Sequence, residues 1–78
     1  MKHMDDKFNR IQDPDAKIPN DEPVFLLRAQ DVTAATAVRI WADLQLLENP
    51  TPAGFVKCDK AREWAKEMDL WPKKKIAD

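Results

Sequence analysis

Residues 31–48 read DVTAATAVRIWADLQLLE, and the helical periodicity of this stretch decides the fold. Stepped at about 100° per residue, Val32, Val38, Ile40, Trp41, Leu44, Leu46 and Leu47 spread over most of the wheel, with Ala34, Ala35, Ala37 and Ala42 between them. Only Thr36, Arg39 and Asp43 form a continuous polar ridge, along which Arg39 and Asp43 are spaced to pair. A helix apolar nearly all round is normally buried on several sides. The remaining chain is too short to cover it, so the pattern predicts self-association or a protein partner, with Val38, Trp41 and Leu44 among the interface residues. Asp31 suits the N-cap, which starts the helix near Val32, and Asn49 before Pro50 stops it.

Working toward the N-terminus, Pro23 opens the run Val24, Phe25, Leu26 and Leu27, apolar on both faces and bounded by charge. It predicts a strand of about four to six residues. A strand needs a neighbour, and Gly54 to Lys57 or the segment Ile11 to Ile18 are the internal candidates. Neither is a convincing strand, so pairing with a second copy is expected, with Phe25 and Leu27 at the interface. From Met4 to Glu22 the residues are mainly Asp, Lys, Asn, Gln and Pro, and residues 1–22 are expected to form a flexible or extended arm. Phe8, Ile11 and Ile18 are its candidates for docking. Met1, Lys2 and His3 precede a second methionine as residual cloning sequence does.

Toward the C-terminus, Thr51 and Pro52 offer a cap and a first helical residue for a second helix, and Gly54 weakens that start. Asp59 is the alternative beginning. Ala61, Trp64, Ala65, Met68 and Trp71 recur at spacings of three and four, one apolar stripe opposite mixed charges, and Pro72 ends the helix. The short link predicts an antiparallel pair with Trp41 and Trp64 near the shared interface. The fold expected is mainly α: residues 23–72 form one small β-α-α domain, a short strand followed by an antiparallel helical hairpin, with a basic tail at 73–78 and an oligomeric assembly.

PVFLLRAQD at 23–31 followed by AVRIWADL at 37–44 resembles an uncharacterised group of short phage and prophage proteins. Their pattern is an apolar strand ending in Arg-Ala-x-Asp and then a helix carrying Val-x-x-Trp-Ala. The resemblance spans about a third of the chain and brings no activity, catalytic residue or cofactor with it. It implies a viral accessory origin.

Composition narrows the chemistry. The 78 residues carry a net charge of −1, one Cys, one His and one Gly. A chain this short buries roughly 60% of its unfolded surface, and a lone Cys58 cannot form an internal disulfide. Oligomerisation is the remaining route to stability. With no Ser or Tyr, and its only His at position 3, the sequence offers no nucleophilic triad, no metal ligand set and no cofactor motif. Its acidic pairs, Asp5 with Asp6 and Asp13 with Asp15, read as solubilising charge. No enzyme is expected. No run approaches the ~20 apolar residues of a membrane span and no signal peptide pattern is present, so the cytoplasm is expected, that of the host if the chain is phage-encoded.

The function expected is a non-enzymatic protein-interaction module, homo-oligomeric, that binds or modulates a host protein. One alternative is nucleic-acid binding through Lys73, Lys74 and Lys75 beside Trp71. Another is a small anionic ligand, such as a nucleotide, held by Arg28 and Arg39 at an oligomer interface.

Overall fold

In a computed structural model, residues 1–5, 7 and 12–76 are described. The order of elements is β1 (Lys2–His3), β2 (Pro23–Val24), α1 (Ala34–Glu48) and α2 (Pro52–Leu70). The protein is mainly α, two helices with a short two-stranded sheet.

The apolar run after Pro23 finds its neighbour at the start of its own chain. β1 and β2 pair in parallel, Lys2 opposite Pro23 and His3 opposite Val24, and the Lys2 N–H donates to the Glu22 carbonyl at 2.7 Å. This corrects the expected strand in two ways. It is two residues long rather than four to six, because β1 offers only two residues to pair with, and its partner lies within residues read as cloning sequence. Neither internal candidate is the partner: Gly54 to Lys57 lies within α2, and the described residues 12–18 of the other form no strand. Between the strands, the Asp13 carboxylate accepts from the backbone N–H groups of Lys17 and Ile18 at 3.1 and 2.9 Å, closing a turn that puts Ala16 in the left-handed region at φ 50. Phe8 and Ile11 lie outside the described residues.

α1 begins two residues later than the sequence suggests. Asp31 does not cap it; its carboxylate accepts from both the backbone N–H and the hydroxyl of Thr33 at 2.8 Å, a local turn that competes with helix for the same groups. Thr33 takes the N-cap position, and its side chain makes no capping bond to the helix. α2 starts where Thr51 and Pro52 indicate, with the Thr51 hydroxyl accepting from the Gly54 N–H at 3.3 Å. Asn49 and Trp71 close the two helices.

Alanine, not the large side chains, forms the seam between the helices. Among the described residues, the buried apolar ones are Ala34, Ala35, Ala42, Cys58, Ala65 and Met68, and no large side chain is fully enclosed. Small residues let two helix backbones approach closely, and bulky neighbours are then squeezed to the flanks. Leu27, Ala29 and Val38 pack against the core cluster of Ala34, Ala35, Ala65 and Met68. The tail returns to the domain through the backbone of Lys75, whose N–H donates to the Gln30 carbonyl at 2.6 Å and whose carbonyl accepts from Val32 at 3.1 Å.

The result is open rather than round. The chain exposes 6574 Å², roughly a third more than the 4,900 Å² or so expected of a folded monomer of 9.0 kDa. Its radius of gyration is 14.1 Å, against about 11.5 Å for a compact chain of this length, and its extents of 35 × 32 × 18 Å describe a slab.

Candidate functional site

The two flanks of the helix pair differ in chemistry. At about 100° per residue, Arg39 and Asp43 fall on one side of the alanine seam and Trp41 and Leu44 on the other. On the polar flank, Arg39 pairs with Asp69 and Asp43 with Arg62. The expected pairing of Arg39 with Asp43 along one helix is therefore replaced by two bridges between helices, because each acid meets a guanidinium across the seam. A hydrogen bond to the Cys58 sulfur, and then the charge of Asp43, hold the Arg62 guanidinium even more firmly in its charged form.

The opposite flank is an open groove. Val38 and Trp41 form its α1 wall, and Val56, Ala61 and Trp64 form its α2 wall, around a hollow of about 660 Å³. Among the described residues, Lys57 and Lys60 are the only charged ones on its lining. Both tryptophans were expected near the buried helix interface; instead Trp41 is 46% exposed and Trp64 67% exposed. The physical reason is the alanine seam. Ala42 and Ala65, both fully buried, leave no space for indoles between the backbones, so the rings stand exposed at the edge. Beyond Trp41 the apolar surface continues over Ile40, Leu44 and Leu47, all exposed, with Leu47 at 75%.

The interface residues expected from the sequence divide. Trp41 and Leu44 are exposed, on or beside the groove, and Val38 is half-buried, touching both the core cluster and the groove. Phe25 is exposed, but Leu27 packs on the chain's own core cluster rather than standing free. Val56, Lys57 and Lys60 were missed as groove residues. A spacing signal was available, since 53, 56, 57, 60, 61 and 64 form one stripe of α2.

Arg28 and Arg39 are not brought to one site. Arg28 lines a hollow of about 120 Å³ beside the sheet, together with His3, Lys7 and Lys75, while Arg39 is not on its lining and faces Asp69 instead. Asp5 and Asp31 also line this hollow, so its charge is mixed. Both ring nitrogens of His3 are buried there without a hydrogen-bond partner.

Lys73, Lys74 and Lys75 do not present themselves as one basic patch. The Lys74 ammonium donates to the carbonyls of Ala29, at 2.7 Å, and of Met68 in the last turn of α2. A cation beside those last carbonyls is stabilised by the helix dipole. Among the described residues, no group of three or more His, Cys, Asp or Glu side chains could hold a metal ion, and no helix is long and apolar enough to cross a membrane. No family model matches the chain, and comparison with curated proteins and with solved structures found no similar protein.

Proposed function

We propose that this chain is a non-enzymatic interaction module that works as a homo-oligomer, its helices forming an antiparallel hairpin whose apolar flank is covered by protein. The observation that carries the reading is the groove between Trp41 and Trp64, continuous with exposed Ile40, Leu44 and Leu47. Contiguous exposed apolar surface rimmed by polar residues marks an interaction site. The hairpin sense is supported by the order of its bridges, Arg39 with Asp69 and then Asp43 with Arg62. In this reading the module is a phage-like accessory factor acting in the cytoplasm on a host protein, as the resemblance at residues 23–44 implies.

Light scattering of the purified chain at micromolar concentration tests it. The expected mass is above that of the monomer, and Leu44→Asp or Val38→Asp returns it to the monomer. A wild-type chain that stays monomeric overturns the reading. A second reading, a small anionic ligand at the Arg28 hollow, is favoured by the unpartnered ring nitrogens of His3 on its wall. It predicts a rise in melting temperature with inorganic phosphate or a nucleotide that Arg28→Ala abolishes.

A further inference from the structure

We infer that the groove is filled by the α1 ridge of a second copy, in a two-fold dimer whose axis runs along the helices so that like ends meet. This rests on the self-association proposed above and names its surface, symmetry and register.

Three observations converge on a second copy as the occupant. First, Trp41, Leu44 and Glu48 form an exposed ridge at i, i+3 and i+7 on α1, the anchor spacing with which one helix lies in the groove of another. Second, at about 100° per residue this ridge borders the α1 wall of the groove, Val38 and Trp41, and shares Trp41 with it. When two copies meet about a two-fold axis, each ridge enters the other's groove in the same operation, and the contact closes on itself without leaving a free end. Third, the charges are complementary in only one register. The link between the helices is short, residues 49–51, so Glu48 at the end of α1 and Lys57 near the start of α2 lie at the same end of the molecule. If like ends meet, Glu48 of one copy comes beside Lys57 and Lys60 of the other; if opposite ends meet, it faces the acidic and basic mixture of Glu67 and Lys66 instead. Among the described residues, Glu48, Lys57 and Lys60 are exposed, and the ion pairs present engage other residues.

Two hairpins joined in this way make a four-helix arrangement with both pairs of indoles inside it.

Sedimentation equilibrium on the full chain and four variants tests the inference, with helical content checked by circular dichroism because all substituted side chains are exposed and their loss leaves the alanine seam intact. A dimer is expected for wild type. Leu44→Asp should weaken it by about 100-fold or more, as a charge does at the centre of an interface. Glu48→Lys alone, and Lys57→Glu with Lys60→Glu, should each weaken it by about 3- to 10-fold. Combining all three reversals should restore the dissociation constant to within a few-fold of wild type. Restoration supports the like-ends register, and weakening without restoration overturns it. An oligomer that ignores every one of these variants overturns the groove as its interface and leaves self-association standing. A chain monomeric at all concentrations overturns both.

Discussion

Gly54 illustrates how one position can invert its apparent meaning. In a helix, glycine costs about 0.5–1 kcal/mol relative to alanine, which makes it look like a flaw at the start of α2. A Cβ at this position would lie 1.7 Å from the Asn49 carbonyl oxygen, itself engaged by the Thr51 N–H at 2.8 Å. The clash is with backbone, so relief requires moving the link between the helices. Gly54→Ala is expected to lose about 1–3 kcal/mol in urea unfolding, where an unconstrained helical site would gain. Asp31 is the other telling residue. Its bonds from the Thr33 N–H, first, and the Thr33 hydroxyl hold its carboxyl below the ordinary carboxylate range. A carboxylate depressed on folding adds stability that is complete above its unfolded value of about 4 and is lost as pH falls through the folded one. The urea midpoint of Asp31→Ala should therefore lie below wild type at pH 7, and the gap should narrow as pH is lowered below about 4.

At the scale of elements, the alanine seam sets how the helices meet. Ala42 and Ala65 are fully buried, so enlarging either side chain pushes the backbones apart. Ala42→Leu or Ala65→Leu should cost about 1–3 kcal/mol and broaden the thermal transition. By contrast, the bridges of Arg39 with Asp69 and Asp43 with Arg62 are partly or largely exposed, and solvent screening leaves such pairs little net contribution. Asp69→Asn or Asp43→Asn should change the midpoint little, and chemical denaturation in 1 M salt should resemble that at low salt. The start of α2 belongs to this scale too: with its hydroxyl capping the Gly54 N–H, Thr51→Ala should lose about 1 kcal/mol.

For the whole molecule, the decisive quantity is surface. A slab that is 18 Å thin cannot surround its large side chains, and hydrophobic stabilisation follows area removed from water at about 25 cal/mol per Å². Stability should accordingly rise with protein concentration, as mass action requires when only the folded state associates. Thermal unfolding at 1 μM and 100 μM checks this; a midpoint independent of concentration would contradict it. Much of the helical framework was legible in residues 31–72. Thr51, Pro52, Asn49 and Pro72 mark helix ends through local backbone chemistry, which acts within a turn and is therefore written in adjacent residues. The site was legible in part. The excess of apolar side chains on α1 pointed to an uncovered surface, and Trp41 and Leu44 lie on or beside it. Trp64 was misjudged because a spacing of three and four defines a stripe but not which edge of that stripe the neighbouring helix covers.

What the sequence determines here is local: two helices, their terminators, and more oily surface on the first than a chain of this length can hide. Which residues are hidden was decided only in three dimensions. Burial depends on how closely two backbones approach, and that distance is set by the smallest residues at the crossing, Ala34, Ala42 and Ala65, rather than by the most hydrophobic ones. Likewise, the parallel pairing of Lys2–His3 with Pro23–Val24 joins segments far apart in the chain, a choice governed by what else the edge can reach and by no property of either segment alone.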